Sequence, residues 1–413
     1  MKKVLWLTGI VIPQASSIID QSKVPFGGWV SQMIDQLSNN SDYIIGVAMK
    51  STVNELIVKN KDNVTYYFLP QKKANKFDIH STDVKQVLAD FNPDLVHAEG
   101  TELKYTNTFL KEWKGSNVVS LQGVINGYEP YEYGQIDFNK IIRIDQPLNT
   151  VFALLSLINK KFIFNKRLTI EIDTIKRAHN ILGRTNWDRA HSYFYNPSAP
   201  YFHCARILRP SFYKSYSENK IPFSVFIGNS AQSRKGAHFV LEAIKLLKPF
   251  YSQIKLYVTG QSFYSDNSLS TKFGYRGYLK RLVEQFKLSD HIEFLGVLNE
   301  EEMARTISKM HIYVMSSVIE NSPNTLGEAM MLGIPVVTSF NGGVNDMCTD
   351  GIEAIHYRAN DPKALAYSIK RLFDDPELAD RLANNAKIKA KQTHNPKKNY
   401  QDLINCYKAI LND

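Results

Sequence analysis

The sequence predicts an α/β protein of two doubly wound, parallel-sheet domains facing across a cleft. Short apolar runs alternate with amphipathic stretches in two separate series. A polar segment bounded by prolines divides the series. At 413 residues the chain is long enough for each half to bury its own core.

In the first half, residues 4–7, 43–47, 64–69, 95–97 and 118–121 read as buried strands. Amphipathic stretches at 29–37 and 82–91 lie between several of them. Strand, helix and strand in repetition imply a parallel sheet covered on both faces. Residues 128–180, rich in Ile, Leu, Phe and Lys, break the rhythm and read as two or three helices. Strands resume at 181–182 and 201–203. The segment from Arg209-Pro210 to Lys220-Ile221-Pro222 is the expected linker. Beyond it, strands are expected at 223–228, 255–259, 292–295, 312–315 and 335–338, with helices including 237–247 and 278–286. The expected domains are 1–210 and 221–395. In open parallel sheets, ligands bind beyond the carboxyl ends of the strands, so two facing sheets would hold two ligands across one crevice.

The composition is that of a globular protein, 44% hydrophobic and 22% charged, and its 22 Tyr, 22 Phe and 4 Trp argue against disorder. The net charge of +10 suits nucleotides, lipid phosphates, an acidic membrane face or nucleic acid, and fits a basic solvated surface equally. Scattered basic residues without a helix-turn-helix, RNP or zinc-finger pattern count against nucleic acid. Cys204, Cys348 and Cys406 lie far apart without CxxC spacing, so neither a disulfide framework nor a zinc site is expected, and a reducing compartment fits best. The apolar run at 4–7 is too short for a signal peptide. No run approaches the roughly 18–20 apolar residues of a spanning helix. A cytoplasmic protein is expected. Residues 148–167 join an apolar run to Lys160, Lys161, Lys166 and Arg167. They suit either a core-facing helix with a basic exposed end or a peripheral contact with an anionic inner-membrane face.

The stretch Ser316-Ser317-Val318-Ile319-Glu320-Asn321-Ser322-Pro323-Asn324-Thr325-Leu326-Gly327-Glu328-Ala329-Met330 carries the most chemistry. It follows a predicted strand. Ser322 suits an N-cap and Pro323 the first helical position, with the helix ending at Gly333. A helix N-terminus just beyond a strand is an anion site, and the N–H groups of Asn324, Thr325 and Leu326 are the expected donors to phosphate. Glu328, on the second turn, suits two ribose hydroxyls, while Glu320 precedes the helix.

Two glutamates eight positions apart, then Ala329-Met330, Gly333-Ile334-Pro335-Val336-Val337 and Gly342-Gly343, resemble the signature of retaining GT-B glycosyltransferases of family GT4. The resemblance implies two Rossmann-like domains, with a C-terminal helix, here about 396–413, packing back on the first. It implies that Lys235-Gly236 places a cation on the donor diphosphate. Asn229 stands where many members carry Arg, and Arg234 is the candidate to replace that charge. Gly260 and Leu295-Gly296-Val297-Leu298 match places where the family approaches the donor, the latter meeting the base through backbone groups. Gly27-Gly28 matches the glycine loop near donor phosphates and acceptor. Gln122 stands where many members have a histidine that reaches the sugar. An amide hydrogen-bonds but carries no proton near neutral pH, so its expected role is positioning. His97 reads first as a structural histidine. Gly183-Arg184-Thr185-Asn186-Trp187-Asp188 resembles a segment of a capsule and exopolysaccharide branch.

The implied reaction moves a hexose, with retention, from a nucleoside diphosphate (UDP or GDP) to a hydroxyl of a glycan or lipid-linked acceptor. Glu320, Lys235 and Gln122 are the expected catalytic residues. Asn324, Thr325, Leu326, Glu328, Arg234, Val297, Gly27 and Gly28 are the expected donor-binding set. With no DxD motif placed to hold a metal on the diphosphate, metal independence is expected, and no further cofactor. The alternatives are a GT-B-like epimerase or phosphorylase, a catalytically silent nucleotide-sugar-binding partner subunit, and a basic nucleic-acid-binding protein.

Overall fold

The computed structural model describes residues 1–19, 28–72, 75–137, 140, 147–228, 230–260, 262–263 and 274–412. Gly27 and Asn229 lie outside the described residues. The chain divides into two compact units. The first comprises Met1–Gly127, Phe164–Arg209 and His394–Asp413. The second comprises Tyr128–Ile163 and Pro210–Thr393.

The first unit is built on strands β1 (Lys2–Thr8), β2 (Tyr43–Ser51), β3 (Ile57–Lys61), β4 (Val64–Lys72), β5 (Asn75–Ile79), β6 (Leu95–Glu99), β7 (Asn117–Ser120), β8 (Asn180–Gly183) and β9 (Tyr201–His203). Their order is β3-β4-β2-β1-β6-β7-β8-β9, with β5 paired to β4. Every strand predicted in this half is present. The central ones are parallel and buried without interruption, as in Val4 to Thr8. That continuous burial is the mark of a sheet covered on both faces. Leu5, Leu7, Val96, Ala98 and Val119 form its core with Tyr105 and Phe109 from the helix Lys104–Glu112.

Two strands of this sheet were not predicted. Antiparallel β3 carries the polar sequence IVKNK and turns into β4 through Asp62 and Asn63, with φ of 51° and 60°. Two successive left-handed residues suit the tight hairpin, and Asp and Asn tolerate them best after glycine. β5 adds a short antiparallel edge.

The second unit contains β10 (Ile221–Ile227), β11 (Lys255–Thr259), β12 (Ile292–Gly296), β13 (Met310–Met315), β14 (Val336–Phe340) and β15 (Ile355–Arg358). The order is β12-β11-β10-β13-β14-β15, all parallel. This is the doubly wound order, and its reversal falls between β10 and β13, where the crevice for a ligand opens beyond the strand ends. β15 was not predicted.

Among the described residues of 128–180 the helical segments differ greatly in length. One helix, Pro147–Arg177, takes 31 residues, preceded by the short turns Ile125–Tyr128 and Glu129–Tyr131. The sequence between Pro147 and Arg177 has no internal Gly or Pro to interrupt it. The expected linker is also partly structured. Pro210–Tyr213 is a 3-10 turn with Ser211 and Phe212 buried, and Ile221 already begins β10.

Candidate active site

The site in the second unit is assembled by two loops that leave adjacent strands, β10 and β13. After β10 the chain forms the 3-10 turn Ser233–Lys235 and enters the helix Ala237–Leu247 through Gly236. Gly236 has φ +71°, and a Cβ there would lie 2.0 Å from the Ser316 carbonyl oxygen. Glycine is therefore required on two grounds, handedness and space. Its close approach lets the two loops lace together. The Ser316 hydroxyl donates to the Lys235 carbonyl at 2.8 Å, and the Val318 N–H donates to the Arg234 carbonyl at 2.8 Å.

This lacing carries Lys235 to Glu320. Its ammonium Nζ is ion-paired with Glu320 Oε1. Glu320 is fixed from behind as well. Its N–H donates to Asn341 Oδ1 at 2.8 Å, and its carbonyl accepts from the Gly343 N–H at 3.0 Å. Gly342, at φ +42°, packs so closely that a Cβ would stand 2.1 Å from that same carbonyl oxygen. Asn341 was missed in the sequence. Its amide Nδ2 donates to the Ser317 carbonyl at 2.8 Å and to Ser339 Oγ at 2.7 Å, tying the β14 end to the Glu320 loop. Only the glycine pair beside it gave a signal.

Burial pushes the Glu320 carboxyl upward, but the charge and hydrogen bond of Lys235, with help from Arg234 and Ser317, outweigh it and hold the group below its usual value. Glu320 is thus a fixed, half-hidden negative charge, its side chain 12% exposed. Arg234 lies with its guanidinium 4.9 Å from the Tyr128 ring centroid and donates to Gln232 Oε1 at 3.1 Å.

The helix after Glu320 runs Asn324–Leu332 and ends at Gly333 with φ +71°. It starts one residue later than expected. Pro323 is the N-cap, extended at ψ 119°, and Ser322 does not cap it. Leu326 is not an open donor, because its N–H turns back to the Pro323 carbonyl at 3.1 Å. No backbone acceptor among the described residues takes the N–H groups of Asn324 and Thr325. These two therefore form the open, electropositive end of the helix. The Tyr313 hydroxyl on β13 donates to Thr325 Oγ1 at 3.0 Å and steadies that end. A cleft lined by Gly228, Lys235, Ser317, Glu320, Pro323 and Thr325 joins these parts. Glu328 is buried, 2% exposed. Val297 is 72% exposed, just after Gly296, whose carbonyl accepts from the Gly260 N–H at 2.8 Å.

The remaining expected residues belong to the first unit. Gly28 starts the helix Gly28–Ser38 that follows β1. Gln122 donates through Nε2 to Glu99 Oε2 at 3.0 Å. Glu99 also binds Arg206 at 3.0 Å, with side chains 7% and 10% exposed. Burial raises the Glu99 carboxyl, but Arg206, His97, Gln122 and Arg184 together hold it low. His97 is fully buried, with Nδ1 on the Tyr407 hydroxyl at 2.6 Å and Nε2 on Ser120 Oγ at 2.7 Å. Burial lowers it to about 4, so it is a neutral, fully bonded ring. In Gly183–Asp188, Thr185 caps the helix Asn186–Tyr193 by accepting from the Asp188 N–H at 3.0 Å, and Asp188 accepts from the Arg184 N–H.

Residues 211–389 match the family of glycosyl transferases group 1. That stretch is less than half of the chain, and over it the sequence is similar to that family. A curated relative, a protein of Salmonella typhimurium described as a putative colanic acid biosynthesis glycosyltransferase, is 25% identical over 185 residues, 43% of this chain and 42% of its own. In the first relatives matched, the aligned stretch spans 35%, 43% and 48% of their length. The sucrose-phosphate synthase of Thermosynechococcus elongatus superposes with a TM-score of 0.72 at 16% identity, covering 99% of each chain. Anabaena HepE, solved in complex with UDP-glucose, gives 0.68 at 14% identity, covering 99% of this chain and 100% of that one. The fold is therefore the GT-B architecture.

Proposed function

We propose that the protein is a retaining, metal-independent glycosyltransferase. It moves a hexose from a UDP- or GDP-linked donor to a hydroxyl of a glycan or lipid-linked acceptor in cell-surface polysaccharide or glycoconjugate synthesis, in the cytoplasm. One observation carries the reading. A cation, Lys235, and an ionised carboxylate, Glu320, meet beside two open helix N–H groups at the reversal point of the second sheet.

Lys235, Arg234 and the N–H groups of Asn324 and Thr325 supply positive charge where a diphosphate leaves, which is where stabilisation lowers the barrier. Glu320 orients the sugar hydroxyls and balances the positive charge that grows at the anomeric carbon. The bond from that carbon to the diphosphate oxygen breaks. The acceptor oxygen bonds to the same face, and its proton passes to the departing diphosphate. Orientation and electrostatics do the work, with no metal and no further cofactor. Glu328 takes the ribose hydroxyls, and the backbone around Val297 meets the base. Gln122, bonded to Glu99, has a positioning role rather than a proton-transfer role. Incubating the protein with UDP-glucose or GDP-mannose and an acceptor panel, and reading the one-bond C1–H1 coupling of the product, tests the reading. An α-linked product in the presence of EDTA supports it. A β-linked product, or transfer that EDTA abolishes and manganese restores, contradicts it. Nucleotide binding without any transfer would favour a silent partner subunit.

A further inference from the structure

Residues 128–134 follow β7 along the chain, yet they belong to the second unit. There they pack on the turn Ser233–Lys235, which carries both cations of the site. Their sequence shapes them for it. Pro130 stands in the first turn of the 3-10 segment Glu129–Tyr131, where a missing N–H leaves no bond unmade. The chain then reverses through Gly134 and Gln135, left-handed at φ of 69° and 53°. Gly134 is buried, and a Cβ on it would lie 2.4 Å from the Ser233 carbonyl oxygen. Beside it the Ser233 hydroxyl donates to the Glu132 carbonyl at 3.0 Å. A little further on, Arg281 donates to the Lys140 carbonyl at 3.3 Å. The turn Ser233–Lys235 is therefore held from two sides, by the loop after β13 and by residues 132 and 134.

This packing brings Tyr128 under Arg234. The ring is buried, 6% exposed, and the guanidinium carbon stands over it, 4.9 Å from the centroid. The negative face of a ring holds a guanidinium while leaving its N–H edge for a planar acceptor. Arg234 Nε is on Gln232, and the charge also acts on Glu320, whose carboxyl it helps to hold low. A long, flexible cation fixed before a ligand arrives loses less entropy on binding it.

We propose that Tyr128 is a positioning residue for the donor diphosphate. It holds the Arg234 guanidinium so that its edge meets a phosphate, and the contacts of Glu132 and Gly134 with Ser233 keep Tyr128 against the turn. Because Lys235, the next residue, pairs with Glu320, the phosphate concerned is the one that carries the sugar. The proposal rests on the donor reading of this site and adds the residue that orders one of its cations.

Titration calorimetry of the full chain with UDP, UMP, GDP and GMP tests it. For the preferred base, the ratio of diphosphate to monophosphate affinity reports the phosphate that only the diphosphate has. Tyr128→Leu lowers this ratio roughly tenfold, within the range of a cation–π contact. Tyr128→Phe keeps the ring and retains most of the ratio. Arg234→Gln lowers the ratio too, and adding Tyr128→Leu to it lowers it no further, because the tyrosine acts through the arginine. A Tyr128 that serves only the fold would weaken both nucleotides alike. That result, an unchanged ratio in Tyr128→Leu, or losses that multiply in the double variant overturns the proposal and leaves the donor reading standing. A wild type that binds none of the four nucleotides overturns the donor reading and the positioning role together.

Discussion

The ammonium of Lys235 is ion-paired with the carboxylate of Glu320, and the two arrive from loops that follow different strands, β10 and β13. Each is held by backbone contacts that glycine alone permits, at Gly236 and Gly342. The pair sits where the sheet order reverses. A charge pair fixed in that position is expected to act on a ligand, and its share in stability is measured separately.

Removing the cation separates these roles. Lys235→Ala is expected to lower the melting temperature, because it leaves the nearly buried Glu320 carboxylate without its partner, while turnover falls by roughly 10²–10³. Lys235→Arg should recover part of the loss, because charge is restored with altered geometry. Steady-state kinetics beside thermal melts checks this. A large loss of stability with unchanged turnover would assign the pair to the fold.

The same pair sets a pH dependence. Glu320 is held below its usual range in the folded protein, so its contribution to stability is present above its unfolded value and is lost as pH falls through the folded one. Activity that needs the carboxylate should therefore fade only in acid below the ordinary carboxylate range. In Lys235→Ala the burial that raises Glu320 loses its main opponent, and the acid limb of kcat moves to higher pH. An acid limb at the same pH in both proteins would refute the coupling.

Glycine substitutions should rank by what a Cβ would meet. At Gly236 and Gly342 it strikes backbone oxygen at 2.0 and 2.1 Å, whereas at Gly351, also left-handed at φ +73°, it meets open space. Gly351→Ala should cost roughly 1–2 kcal/mol, the price of handedness alone. Gly236→Ala and Gly342→Ala should cost more and should also reduce activity, because the strained contacts are Ser316 and the Glu320 carbonyl. Urea denaturation of the three variants gives the order.

His97 gives an independent pH test in the first unit. Burial lowers it from 6.5 to about 4, so between those values the unfolded chain binds a proton that the folded chain refuses. Its contribution is therefore complete above about pH 6.5 and lost as pH falls towards about 4. The difference in stability between wild type and His97→Gln should shrink across that window. A constant difference would mean that His97 is protonated when folded.

The second unit was the more legible. Each of its first five strands is a short apolar run bounded by Gly, Pro or Ser, and the two glutamates flank a helix start that follows a strand. What stayed hidden depends on contacts distant in sequence or on local geometry. Asn341 reads as an ordinary turn residue until its bonds to Glu320 and Ser317 are seen. The pairing of Gln122 and Arg206 with Glu99 joins residues 23 and 107 positions away. Ser322 has the right chemistry for a cap, but the extended Pro323 takes that position. β3 escaped because a polar edge strand has no hydrophobic alternation, although Asp62-Asn63 gave the turn.

Thermal stability against UDP, GDP, ADP, CMP and their sugar conjugates, in wild type and Lys235→Ala, tests the donor site most directly. A ligand at 100 times its dissociation constant adds about 2.7 kcal/mol to the folded state. The account predicts that one nucleoside diphosphate raises the melting temperature of the wild type and that Lys235→Ala loses most of that rise. No rise with any nucleotide, or an equal rise in the variant, would contradict it.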